Sequence, residues 1–210
     1  ILLNARITKK SFLKWNSIPS FSKKIFNEFN LCLGQSDKTC NYLKILGAKN
    51  IKKIGNLKFS QSKSEWKNKL NLKIKKNLKK KKIIFSAIST HVGEELFCGK
   101  AHKNLKKKYK NIISVIIPRH IHRAQEIKQE LNSNGLKVHL HTSGKKISND
   151  TDIYLVDTFG EAKYFLKLSK IAFMGKSIYI DGGQNPLEAA RLGNRIIHGP
   201  NVGNFTEVYD

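Results

Sequence analysis

The sequence is poor in cysteine, arginine and acid. Its 210 residues hold three cysteines, Cys32, Cys40 and Cys98. No pair is spaced C-x-x-C and the number is odd, so neither a disulfide framework nor a zinc site follows. They are expected as small core residues in a reducing cytoplasm. No apolar run approaches the ~20 residues that span a bilayer. Charge interrupts the apolar start by Arg6, so no signal-peptide pattern is present there. Neither G-x-G-x-x-G nor H-E-x-x-H occurs, and His91, His120 and His122 lack a compact metal-ligand spacing. No metal site is expected.

Fifteen acidic residues face 40 Lys+Arg, for a net charge of +25. Such a surface suits polyanions. The cations, however, are 35 Lys and 5 Arg, whereas groove and phosphate readers lean on the Arg fork. Nucleic acid is therefore not expected as a partner. Lysine abundance alongside Ile and Asn reads first as composition bias, and next as a use for an anionic membrane surface or a phosphorylated substrate.

With 40% hydrophobic and 26% charged residues the chain has a globular balance, with room for one large or two small domains. The first residue is Ile1, and Ile1-Leu2-Leu3 reads as a strand already under way, so a fragment or processed chain is expected. Short β-branched runs then alternate with helix-length segments. Predicted strands are Leu31–Gln35, Ile51–Gly55, Ile83–Ser89, Ile112–Ile117, Lys137–His141, Ile153–Asp157, Ile171–Met174 and Arg195–His198. Predicted helices are Ser36–Leu46, Gly93–Lys106, His122–Ser133, Gly160–Leu168 and Pro186–Leu192. This alternation implies right-handed βαβ units and a parallel sheet covered on both faces, an α/β fold. Between Phe59 and Lys82 the composition turns Lys-, Ser- and Asn-rich. The expected organisation is the end of one α/β domain at 1–57, a Lys-rich linker at 58–82 and a second domain at 83–210. Phe12, Trp15, Phe26 and Phe29 are expected to lack part of their packing partners.

In an open parallel sheet, ligands bind beyond the carboxyl ends of the strands. The loops there carry Ser89-Thr90-His91, Pro118-Arg119-His120, Thr158-Phe159-Gly160-Glu161 and Gly182-Gly183-Gln184-Asn185-Pro186-Leu187-Glu188. Hydroxyls, imidazoles, an Arg and glycines thus recur at one sheet edge. Asn185 and Glu188 have the spacing of a capping-box variant, as do Thr158 and Glu161, so each Glu reads equally as a helix cap or a ligand contact. Gly175-Lys176-Ser177 imitates the end of a P-loop, but Lys170 stands where its first glycine belongs, so an NTPase site is rejected.

At these residues the sequence resembles the 3-deoxy-D-manno-octulosonic acid (Kdo) transferases of lipopolysaccharide synthesis. The resemblance runs in order through Asn4-Ala5-Arg6, Gln35-Ser36, Leu46-Gly47-Ala48, Gly55-Asn56-Leu57-Lys58-Phe59, Ser89-Thr90-His91 with Gly93-Glu94-Glu95, Pro118-Arg119-His120, Val156-Asp157-Thr158 with Gly160-Glu161, Gly182-Gly183 with Asn185-Pro186-Leu187-Glu188, and Gly199-Pro200 with Asn204-Phe205. It implies an inverting glycosyltransferase of the GT-B fold, with two Rossmann-like domains and the CMP-Kdo donor held mainly by the C-terminal one. It also implies transfer of Kdo to a lipid A precursor at the cytoplasmic face of the inner membrane, with CMP-Kdo as substrate and no further cofactor. The membrane anchor and the catalytic base are expected upstream of Ile1, so this chain alone is expected to be inactive. The donor-site residues implied are Ser89, Thr90, His91, Arg119, His120, Gly160, Glu161, Gly182, Gly183, Gln184, Asn185 and Glu188. One departure is Gln184, where the family usually has His; Gln donates a hydrogen bond but carries no charge. The alternatives are another GT-B enzyme using a UDP-sugar and a basic, non-catalytic nucleic-acid or surface-binding protein.

Overall fold

The computed structural model describes residues 1–57, 72–80 and 83–209. The chain divides into two units, Ile1–Trp66 and Lys67–Asp210.

The first unit is a three-stranded parallel sheet in the order β1 (Leu2–Ala5), β2 (Cys32–Gly34), β3 (Ile51–Lys53). Helices α1 (Lys9–Asn16), α2 (Pro19–Asn27) and α3 (Asp37–Ile45) connect the strands. Thr8 starts α1 by accepting the Ser11 N–H at 3.2 Å, and Ser36 starts α3 by accepting the Thr39 N–H at 3.2 Å. Each satisfies an amide that the first helical turn leaves unpaired. The core gathers Ala5, Phe26, Cys32, Leu43, Leu46 and Ala48, with Phe12, Trp15 and Phe29 against it. Of the aromatics expected to lack part of their partners, Phe12, Trp15 and Phe29 are half-buried and Phe26 is buried. Phe12 stacks on Tyr42 at 4.1 Å, and Trp15 meets Phe26 edge-on at 5.4 Å. Three separated motifs of the sequence also converge: the Asn4 carbonyl accepts from Gln35 Nε2 at 3.0 Å, and Asn4 Oδ1 accepts the Leu57 N–H at 3.1 Å.

The second unit holds a six-stranded, wholly parallel sheet. Its strands are β4 (Ile83–Thr90), β5 (Ile112–Pro118), β6 (Val138–Leu140), β7 (Ile153–Leu155), β8 (Ile171–Met174) and β9 (Arg195–His198), arranged β6-β7-β5-β4-β8-β9. Helices α4 (Leu72–Lys79), α5 (Glu94–Lys108), α6 (Ala124–Ser133), α7 (Ala162–Leu166), α8 (Leu187–Arg191) and α9 (Thr206–Tyr209) complete it. Every residue of β5 is buried, as expected of a strand covered on both faces. The side-chain period of two separates the cores. Ile113, Val115 and Ile117 pack with Leu78 of α4, Phe165 of α7 and Ala189 of α8. Ile116 packs on the other face with Cys98 of α5 and Ile127 and Leu131 of α6.

The stretch expected as a linker at 58–82 lies largely outside the described residues. Its described part includes α4, whose Leu78 is fully buried in the sheet's core; burying one such side chain is worth about 1.5–3 kcal/mol. No helix among the described residues is long and apolar enough to cross a membrane.

Candidate functional site

The chain builds β4 to β7 on one side and then returns to lay β8 along the far edge of β4. The order in which strands are added therefore reverses between β4 and β8, and a crevice is expected outside the carboxyl ends of such neighbours. Gly175 continues the pairing there, its N–H donating to the Ile88 carbonyl at 2.8 Å. A Cβ on Gly175 would collide with the Ser89 carbonyl. The glycine of the P-loop imitation is thus required by the close approach of two backbones.

Two acids at the start of α5 organise the crevice. The buried Glu94 carboxylate accepts four backbone N–H groups: His91 at 2.9 Å, Lys176 at 2.7 Å, Ser177 at 2.9 Å and Ile178 at 3.1 Å. Charge-assisted bonds of this kind, at a helix N-terminus, offset the cost of burying the charge. Glu95 is fully buried, accepts from the Thr90 hydroxyl at 3.0 Å and pairs with Arg123 at 3.3 Å. Its other oxygen, Oε2, has no hydrogen-bond partner. Burial pushes its carboxyl above the ordinary range, against the lowering influence of Arg123 and Thr90. Burial outweighs the ion pair here because one Arg contact at 3.3 Å serves a carboxylate that has lost all its water.

The expected site residues fall into three groups. Ser89, His91, Arg119 and His120 form a continuous cluster. Arg119 N–H donates to the Thr90 carbonyl at 3.0 Å, and the His91 ring meets His120 edge-on at 5.6 Å. Ser89 holds a left-handed backbone at φ +54°, an uncommon state for a residue other than glycine. Its carbonyl accepts from His91 Nδ1 at 3.0 Å, which leaves Nε2 of the neutral ring as an acceptor. Burial lowers the His91 pKa, with neighbouring His120 and Lys176 adding to that and the Ser89 carbonyl and Glu94 opposing it. Arg119 and His120 are exposed. Thr90 differs: it is fully buried, and its hydroxyl faces Glu95 rather than the crevice.

A second group stands beyond β7, on the far side of β5. Thr158 donates its hydroxyl to Glu161, and His141 Nε2 lies 3.0 Å from the same carboxylate. Because α7 begins only at Ala162 and has no side-chain cap, these two are not a reciprocal capping box. Gly160 beside them is exposed.

The third group is the loop after β8. Gly182 and Gly183 have φ of +131° and +67°, and a Cβ on either would meet a neighbour at 2.5 Å or 2.9 Å, so the loop needs both glycines. The Gly183 amide donates to the Lys176 carbonyl at 2.8 Å, which removes it from the amides expected to face a phosphate. Gln184 gives its carbonyl to the Tyr209 hydroxyl at 3.0 Å. Asn185 Oδ1 accepts the Leu187 N–H at 3.1 Å in a local turn, and the N-cap of α8 is Pro186, one residue later than the expected Asn185. Glu188 is exposed, and the reciprocal half of the capping box does not form. Its carboxylate faces solvent.

Sequence reasoning did not single out Glu94, Glu95 and Arg123 as site residues. Two acids directly after a glycine at a predicted helix start were the available signal, since that is where carboxylates meet free amides.

At the opposite sheet edge, His102 is fully buried between Ser114 Oγ at 2.9 Å and Asp152 at 3.3 Å. Lys106 and the Lys137 N–H also reach Asp152. Burial pushes the Asp152 carboxyl up, but these bonds outweigh it and its pKa is lowered. A cavity of about 310 Å³ beside them is lined by Lys103, Lys106, Lys107, Gly135 and Leu136. Ser114 is fully buried, so the set braces α5 against the sheet and presents no nucleophile.

Two parallel α/β units, the second with its strand order reversing between β4 and β8, define a protein of Rossmann-like class. Residues 1–61 match the family model described as 3-Deoxy-D-manno-octulosonic-acid transferase (kdotransferase). The chain is 33% identical over 208 residues to the 3-deoxy-D-manno-octulosonic acid transferase of Rickettsia bellii (strain RML369-C), covering 99% of this chain and 49% of that protein. It is 26% identical over 212 residues to the enzyme of the same description from Haemophilus influenzae (strain ATCC 51907 / DSM 11121 / KW20 / Rd), covering 100% of this chain and 49% of that one. Among solved structures, the C-terminal CMP-Kdo binding domain of WaaA from Acinetobacter baumannii matches with a TM-score of 0.58 and 29% identity, over 65% of this chain and 71% of that one. The chain is similar to the Kdo transferases along nearly its whole length. It spans about half the length of the curated relatives it matches.

Proposed function

We propose that the chain is the donor-binding part, with the end of the acceptor-side part, of an inverting glycosyltransferase. In this reading the complete enzyme moves Kdo from CMP-Kdo to a lipid A precursor at the cytoplasmic face of the inner membrane. The observation that carries it is the clustering of Ser89, His91, Arg119 and His120 at the β4 end of the crevice, in a chain similar to Kdo transferases over 99% of its length.

The chemistry is displacement at the anomeric carbon of Kdo. The acceptor hydroxyl forms the new C–O bond as the bond to the CMP phosphate breaks, and CMP leaves with the electron pair. Cations around that phosphate lower the charge developing on it. Arg119 is exposed at the end of β5 and suits the phosphate or the Kdo carboxylate. The solvent-facing Glu188 suits the ribose hydroxyls. Gly160 and Glu161 line the β7 side, with Glu161 oriented by Thr158 and His141. Glu94, Glu95 and Thr90 hold the loops. The general base and acceptor positioning are assigned to the part of the relatives' length outside these 210 residues, so donor binding without transfer is expected of this chain alone.

Titration with CMP and UDP tests this reading. Binding that prefers CMP supports it, and a preference for UDP returns the protein to the UDP-sugar alternative.

A further inference from the structure

We propose that Lys176 is a phosphate-binding residue of the crevice, the cation that the β8 side contributes to the donor's phosphate. The inference rests on the donor-site reading above and adds a residue to it.

Lys176 belongs to the motif set aside as a false P-loop, and three observations bring it back. The first is its backbone. Lys176 adopts φ +58°, a left-handed conformation that disfavours any residue with a Cβ. Glu94 and Gly183 hold it there from both sides: Glu94 accepts the Lys176 N–H at 2.7 Å, and the Gly183 N–H donates to the Lys176 carbonyl at 2.8 Å. Strain of this kind is retained where the surrounding structure over-determines it, and it clusters at ligand sites.

The second observation is where the side chain goes. A Cβ built on Gly182 would stand 3.3 Å from both Cε and Nζ of Lys176, so the ammonium lies over the glycine loop. That loop carries no cation of its own in Gly182-Gly183-Gln184-Asn185, and its Gly183 amide is already engaged.

The third is the surrounding charge. Lys176 forms no ion pair within 4.0 Å with any described residue, while the carboxylate nearest its backbone, Glu94, is occupied by four N–H groups. Its charge acts on His91 together with that of His120. The one acid that acts on His91, Glu94, is turned to backbone N–H groups of the loops, and an ammonium and two imidazoles beside it suit a tetrahedral anion. A phosphate monoester at the point where the strand order reverses has that chemistry.

The test uses CMP and cytidine as probes, titrated calorimetrically into the chain and its Lys176→Gly, Lys176→Ala and Lys176→Arg variants. Lys176→Gly suits φ +58°, so its melting temperature should equal or exceed that of the unsubstituted chain, which separates lost binding from lost folding. The expected result is at least a ten-fold loss of CMP affinity in the Gly and Ala variants, unchanged cytidine affinity and near-complete retention in Lys176→Arg. Undiminished CMP affinity in Lys176→Gly, in a chain that binds CMP, overturns the Lys176 assignment and leaves the donor reading standing. A chain that binds no CMP overturns the donor reading and the Lys176 assignment with it.

Discussion

The Glu94 carboxylate accepts the Ser177 N–H at 2.9 Å across 83 residues of sequence. This contact, with its neighbours at Lys176 and Ile178, ties the loop after β4 to the loop after β8. The crevice is therefore built by an internal anion that fills an amide cradle and fixes the two walls.

Glu94→Ala removes that anion and leaves four buried or half-buried N–H groups without their acceptor. The expected cost is more than about 2 kcal/mol, since an unsatisfied buried donor costs about 1–3 kcal/mol on its own. Urea unfolding followed by circular dichroism measures it. A variant as stable as the parent would show that water replaces the carboxylate at no cost.

Arg119→Ala is expected to leave stability nearly unchanged, because the guanidinium sits on an exposed loop. It should weaken CMP binding by about 1.5–3 kcal/mol, roughly 10- to 150-fold. Unaltered affinity would remove Arg119 from the site.

Glu95 gives the fold a pH dependence of a sign unusual for a carboxylate. Its folded-state pKa lies above the ordinary 4.5, so the folded chain holds the proton longer than the unfolded one. Stability then falls as pH rises from about the unfolded value through the folded one, and is level above it. In Glu95→Gln this slope should vanish, so the variant gains on the parent between acid and neutral pH. Parallel stability curves for the two proteins would show that Glu95 has the same pKa in the folded and the unfolded chain.

The lysines between Lys58 and Lys82 are expected to favour anionic lipid without selecting the donor. Replacing Lys79, Lys80, Lys81 and Lys82 with Gln should lower binding to anionic vesicles by about 1 kcal/mol per lysine near the surface. CMP affinity should stay where it was. Vesicle binding indifferent to the change would make the tract a matter of composition.

Much of the second unit was legible because its signal is local. The uninterrupted Ile112–Ile117 run states a doubly covered strand, and each strand predicted there appears within a few residues of its place. Helices α1, α2 and α4 were missed. They are short and lysine-rich, and α2 and α4 bury only one or two side chains each, so their apolar stripe is thin and packing decides them. The site was legible in part for the same reason. The edge carrying Ser89, His91, Arg119 and His120 follows from parallel topology alone. Which side chains face inward does not: Thr90 differs from Ser89 only through Glu95, and Lys176 reaches Gly182 only through a tertiary turn.

Hydrogen exchange of the chain with and without CMP tests the central claim most directly, because it reports where the ligand sits. Protection is expected in the loops at 89–93, 118–121, 158–161, 175–178 and 182–188, and none around the cavity beside His102. Protection confined to the His102 edge, or no protection in any of the carboxyl-edge loops at saturating CMP, would contradict the donor site described here.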